Sequence, residues 1–187
     1  ERRPTPDPTF ISYAAFGRRF FEVAVTRDRV AEAVAGIGGR PIEVGPMGVG
    51  PLSLAKVRAN GMVGEPELVE IEHDEHIAFQ LVIPVELQLK IGIGLDTYRF
   101  NADMRIRLPV AARAAERLRV VIDVEPPTRH DVEVELRADG LRASALQAIA
   151  NVEQELKRTV AKFVAKEIEK GRDERIIDVE QALSKMT

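Results

Sequence analysis

The chain has 187 residues, enough for one domain that buries about two thirds of the surface its unfolded form exposes. With 45% hydrophobic and 30% charged residues it falls in the globular class and outside the disordered one. A net charge of -3 argues against a nucleic-acid partner, which calls for a strong basic excess. The absence of cysteine excludes disulfides, cysteine-based zinc sites and cysteine nucleophiles, and leaves the compartment open.

Residues 1–9 form a Pro-rich lead, expected to be disordered, and residues 10–187 are expected to form one α+β domain. No apolar run reaches the roughly 18 residues of a membrane-spanning helix. Arg2 and Arg3 are followed by Pro4, Pro6 and Pro8 rather than by an apolar leader. The default location is the cytoplasm, with a removed signal peptide left open.

Phe10, Tyr13, Phe16, Phe20 and Phe21 gather five of the nine aromatics into residues 10–21, with Arg18 and Arg19 among them. Such a stretch either packs on the sheet as core or meets a membrane surface through Phe16, Arg18, Arg19 and Phe20. Residues 26–36 read as a helix capped by Thr26, with Val30, Ala33, Val34 and Ile37 on its apolar side and Gly36, Gly38 and Gly39 at its end. Residues 45–51 are expected to be a loop on their Gly and Pro content. They lack the Lys-Ser or Lys-Thr of a phosphate loop. A mobile rim with Met47 and Val49 as apolar gates is the functional reading of that segment.

Weak strand signals cover 52–59 and 68–71. The polar cluster Glu70, Glu72, His73, Asp74, Glu75 and His76 then reads as a solvated hairpin tip. Two histidines among carboxylates are also the material of a divalent-metal site, but no metal and no cofactor is expected.

The most informative stretch is 77–95. Ile77, Phe79, Leu81, Ile83, Val85, Leu87, Leu89, Ile91, Ile93 and Leu95 occupy ten consecutive odd positions. Polar residues such as Gln80, Glu86, Gln88 and Lys90 sit between them. A period of two is the period of a strand. At roughly 3.3 Å per residue it would span about 60 Å. Pro84 and the Gly92/Gly94 pair are the expected bends or bulges. Residues 98–108 repeat the pattern, with Tyr98, Phe100, Ala102, Met104, Ile106 and Leu108 on one face and Arg99, Asp103, Arg105 and Arg107 on the other. Strands over 118–124 and 132–136 follow.

Residues 144–169 contain no Gly and no Pro. Leu146, Ile149, Val152, Leu156, Val160, Phe163, Val164 and Ile168 recur at spacings of three or four. This predicts an amphipathic helix of about 39 Å. A short strand at 175–179 and a last helical turn follow.

The expected fold class is therefore α+β: a long, curved antiparallel sheet wrapped around a long C-terminal helix, with a shorter N-terminal helix. The candidate inner face is almost wholly aliphatic. A wall without fixed donors suits an acyl chain better than a polar metabolite. The candidate ligand-binding residues are Leu81, Ile83, Val85, Leu87, Leu89, Ile91, Phe100, Met104, Leu156, Val160 and Phe163, with Met47 and Val49 at a channel rim. A lipid or fatty-acid-like molecule is the expected partner. The same alternation fits a filled core, so a homodimer or scaffold pairing through strand edges stays open.

No serine lies in a nucleophile-elbow context, and His130 falls in a turn after Pro126-Pro127-Thr128-Arg129. No catalytic residue is assigned. A helix-grip enzyme on a hydrophobic substrate would need two or more polar side chains pointing inward.

The helix at 26–36, the long alternating strands at 77–95 and 98–108, and the step from strand at 132–140 into the helix at 144–170 resemble the TULIP superfamily of tubular lipid-binding proteins. That resemblance implies a bent sheet round a long helix and a hydrophobic ligand. The pattern is also similar to the START-like helix-grip family, whose strands are usually shorter. It too implies a hydrophobic ligand.

Overall fold

The computed structural model of the protein describes residues 9–71, 77–137 and 143–185, the side chains of 143–148 excepted. Two helices open the chain, α1 (Tyr13–Ala24) and α2 (Arg27–Val34). Eight strands follow: β1 (Pro41–Val49), β2 (Ala55–Val63), β3 (Glu67–Ile71), β4 (Ile77–Ile93), β5 (Asp96–Ala115), β6 (Arg119–Val124), β7 (Val132–Arg137) and, after the long helix α3 (Ala143–Lys170), the short β8 (Ile176–Asp178). A short helix, α4 (Val179–Ser184), ends the described chain. The architecture is α+β, a curled antiparallel sheet with a long C-terminal helix.

The spine is the β4/β5 hairpin. Its register runs without a break from Ile77↔Ala112 to Ile93↔Asp96. Gly94 and Leu95 form the two-residue turn, with Gly94 at φ +61°, the left-handed backbone that a primed hairpin turn requires and glycine supplies without steric cost. Leu95, an apparent continuation of the apolar alternation, therefore sits in the turn and is fully exposed. Each long strand serves two neighbours in succession. β2 lies beside the Val85–Ile93 half of β4 and β3 beside its other half. β7 lies beside Asn101–Ile106 of β5 and β6 beside Val110–Ala115. The molecule is thus two five-stranded half-sheets, β1-β2-β4-β5-β7 and β3-β4-β5-β6-β8, sharing one hairpin.

Pro84 and Pro109 mark the changeovers. β4 has left β2 at Val85 and meets β3 at Val82, so Pro84 falls in the gap, where its carbonyl accepts from Gly64 N at 2.7 Å. Pro109 holds the equivalent place between β7 and β6, with its carbonyl accepting from Glu125 N at 3.4 Å. A strand residue directs its N–H and C=O to the same side, so each missing N–H faces a gap rather than a partner. The bulge expected at Pro84 is accordingly not there. The register shift lies instead between Val44 and Met47 of β1. That corrects the loop expected at 45–51: its first five residues continue β1, opposite β2.

The inner face forms a single core cluster with α2 and α3. Thr26 caps α2, its Oγ1 accepting from Arg29 N at 3.4 Å, and Val30 and Val34 bury. Arg27 donates Nε and Nη2 to the Leu68 carbonyl at 3.2 and 2.9 Å, which ties α2 to β3. On α3, Val152, Leu156, Val160, Val164 and Ile168 bury along one stripe. Lys157 and Glu153 pair at 2.8 Å on its flank. α3 touches both β1 and β7, so the first half-sheet curls until its two outermost strands reach the same helix.

α1 departs from this packing. Ser12 caps it, accepting from Ala15 N at 3.1 Å, yet ten of its twelve residues are exposed and only Phe21 packs against the core cluster. The aromatic stretch is therefore a helix standing on the surface rather than core.

Candidate ligand-binding face

Cross-strand pairing assembles the predicted wall. Leu81 faces Leu108, Ile83 faces Ile106, Val85 faces Met104, Leu87 faces Ala102, Leu89 faces Phe100 and Ile91 faces Tyr98. β2 adds Val57 beside Ile91, Ala59 beside Leu89 and Val63 beside Val85. Ten of the eleven predicted wall residues are buried, and Leu156 and Val160 of α3 lie in the same cluster as the strand residues. Phe163 is half-buried and packs against that cluster.

The wall is closed as it stands. Leu81, Ile83, Val85, Leu156 and Val160 have 0% exposure, and Leu89 1%. A water-sized space against any of them would register as exposed surface. The packing is that of a protein interior. The rim residues differ from one another. Val49 is buried opposite Ala55, and Met47 is half-buried opposite Val57. The next residue, Gly50, lies so near α3 that a side-chain carbon there would sit 3.4 Å from the amide of Asn151. Met47 and Val49 thus stand where β1 meets the start of the described helix surface.

Charge enters the interior at the other end of α3, which the sequence did not single out. Glu167 is buried and accepts ion pairs from Arg40 at 3.1 Å and Lys170 at 2.6 Å. Arg175 is also buried, its Nε without a partner, and burial lowers its pKa because the charged form is poorly solvated there. A cavity of about 70 Å³ is lined by these groups together with Ala33, Gly36 and Glu174. Glu167 lies on the helix predicted at 144–169 and Arg175 at the start of the strand predicted at 175–179, and neither pattern marks a buried charge. The turn Ala35–Ile37 packs against α3, and α2 and β6 pack against the turn Asp173–Arg175, which together enclose them. They are the buried charged residues among those described, and the aliphatic wall carries none.

The outer face holds a shallow groove of about 770 Å³ along one register row, Glu43–Asn60–Gln88–Asn101–Arg137, crossing five strands. Among the described residues no cluster of three or more His, Asp or Glu is placed to hold a metal. His73 and His76 lie outside the described residues. His130 sits in the turn Arg129–Asp131, where Thr128 Oγ1 accepts from its backbone N–H at 3.3 Å. No described helix is long and apolar enough to cross a membrane.

No family model matches the sequence, and comparison with curated proteins gives no significant match.

Proposed function

We propose that this chain binds, and carries, a lipid or other hydrophobic ligand between the inner face of its sheet and α3, as TULIP-like tubular modules do. One observation carries the reading: two strands of 17 and 20 residues present an aliphatic face to a helix that the outer strands of the half-sheet both reach. With the wall closed, ligand enters by taking the place of α3 side chains against Leu87, Leu89 and Ile91, at the end marked by Met47 and Val49. Each buried methylene contributes about 0.8 kcal/mol, so long acyl chains supply enough to separate the helix from the sheet and short ones do not. No catalytic step is needed, and the cytoplasm is the proposed compartment. The exposed α1, with Phe16 and Phe20 stacked at 6.4 Å and Arg18 and Arg19 beside them, is the proposed peripheral membrane contact.

Native mass spectrometry of protein from its own host, followed by organic extraction, tests this. A co-purifying fatty acid or phospholipid is expected. Phe163→Trp places a sole tryptophan beside the wall, and its emission should shift as a long-chain fatty acid is titrated in. An apo mass under gentle conditions together with an unmoved emission would sink the reading.

The closed wall favours a second reading, a filled-core scaffold that self-associates, including as a homodimer, through strand edges or sheet faces. Sedimentation that depends on concentration, with no ligand extracted, is its signature.

A further inference from the structure

The two neighbouring turns at one end of the sheet carry unusual surface chemistry. Ala55 of β2 is paired with Ile93 of β4, so the segment 50–54 and the Gly94–Leu95 turn lie side by side beyond that pair. Leu95 is fully exposed, Leu52 is 94% and Leu54 66% exposed. Leu52 and Ser53 both hold φ of 55°, left-handed backbone that costs free energy in non-glycine residues. Behind these leucines, on the outer face, Arg58 is directly opposite Lys90, and Lys90 directly opposite Arg99. Lys56 precedes Arg58 on the same face. All four are exposed and none has an ion pair among the described residues. Like charges placed directly opposite across strands are destabilising. Asp96 is the acidic residue at the turn. In the row that follows, Asn60, Gln88 and Asn101 beside the cations are neutral, with Glu43 and Arg137 at its two ends, and Glu86 is four residues along β4 from Lys90, about 13 Å, beyond the screening length of roughly 8 Å in physiological salt.

We propose that this end of the sheet docks on an anionic phospholipid bilayer, the Leu52, Leu54 and Leu95 side chains entering the interface while Lys56, Arg58, Lys90 and Arg99 meet lipid phosphates and carboxylates. The leucines decide between partners. A nucleic acid or an acidic protein segment would use the basic row and leave three leucines on adjacent turns in water. A bilayer uses both, apolar tips below and cations at headgroup level. No aromatic side chain accompanies the basic row on the outer face to stack on bases, since Tyr98 and Phe100 face inward. The surface shares no residue with α1 and does not depend on what α3 covers.

The test is co-sedimentation of the whole chain with phosphatidylcholine vesicles, with and without phosphatidylserine. Binding is expected on the phosphatidylserine vesicles alone, weakening as salt is raised. Lys90→Glu with Arg99→Glu should reduce it about tenfold or more, and Leu52→Ser with Leu95→Ser several-fold. Lys90→Glu should at the same time raise the melting temperature in low salt, since it replaces the middle of three like charges. The melting temperature of the double variant, measured alongside, should stay close to that of the unaltered chain, which shows the loss of binding is not a loss of fold. Three results overturn the proposal: no binding by the unaltered chain, unchanged binding by both double variants, or binding abolished by Phe16→Ser with Phe20→Ser while the turn variants bind normally. Tight binding to single-stranded DNA that survives the leucine changes assigns the row to a polyanion instead and also overturns it.

Discussion

On the outer face of the long hairpin, the half flanked by β6 and β8 pairs its cations, and the Gly94 end of the other half, beside β2, has none paired among the described residues. In the first, Arg113 meets Asp123 at 3.2 Å and Arg119 meets Asp178 at 3.9 Å. Across the middle, Arg107 reaches Glu133 and Arg137 reaches Asp103, both at 2.9 Å. In the second, Arg58, Lys90 and Arg99 face one another. Exposed ion pairs contribute about 0–1 kcal/mol each, so neither arrangement decides whether the chain folds. The inner face decides that, and there both halves bury mostly apolar side chains. The difference outside thus bears on what each half meets rather than on what holds it together.

Cavity-forming changes inside give the largest expected effect and test the match directly. Leu81→Ala in the β3/β6 half and Leu89→Ala in the β2/β7 half should each cost about 2–5 kcal/mol in chemical denaturation, as both side chains are buried to within 1%. A much smaller loss at Leu89 would reveal slack in that half alone, which is where the proposed ligand enters. Next comes Gly61→Ala. β2 crosses β4 so closely there that a side-chain carbon would collide with the Glu86 carbonyl. Because the obstacle is backbone, the strands must separate, and a loss of about 1–3 kcal/mol is expected by the same measurement.

Charge changes outside should be smaller and of opposite sign in the two halves. Lys90→Glu should stabilise by up to about 1 kcal/mol, and Asp123→Asn should destabilise by about 0.2–1 kcal/mol. Both shifts should shrink in high salt. A destabilising Lys90→Glu would break the comparison. The smallest effect concerns the link from β6 to β7. Asp131 Oδ2 accepts from the backbone N–H and the hydroxyl of Thr128, both at 2.7 Å, and these bonds lower its pKa below the usual aspartate range. A carboxylate with a depressed folded pKa contributes stability that is present above its unfolded pKa and lost as pH falls through the folded value. Asp131→Asn should therefore lower the melting temperature slightly at neutral pH and converge with the unaltered chain in acid.

Much of this was legible along the chain. Alternation placed Leu81 through Ile91 on one face because a strand turns successive side chains to opposite sides whatever it pairs with. The spacing of Val152, Leu156 and Val160 marked α3 for the same kind of reason, and Thr26 announced the start of α2. Legibility ended where pairing mattered. Residues 45–49 looked like a loop by composition and became strand because β2 offers them partners across a bulge. Leu95 satisfied the alternation, yet the preceding Gly94 turns the chain before it can face inward. Pro84 looked like a bulge or bend, and the register carries no bulge there because β4 changes neighbours at that residue.

The candidate site divides the same way. Local periodicity, a property of the backbone itself, determined that Leu81, Leu89, Leu156 and Val160 would bury and that Lys90 and Arg99 would not. Whether the buried set closes on itself, and whether the exposed cations find acids or one another, depends on registers joining residues 9 to 41 positions apart, as in Lys90↔Arg99 and Lys56↔Thr97 through Gly92. Register is a collective outcome of strand pairing and helix docking, carried by no single segment. The tertiary structure alone therefore decided that the wall is closed against α3, that Glu167 and Arg175 are enclosed, and that one end of the sheet gathers cations with no ion pair among the described residues behind exposed leucines.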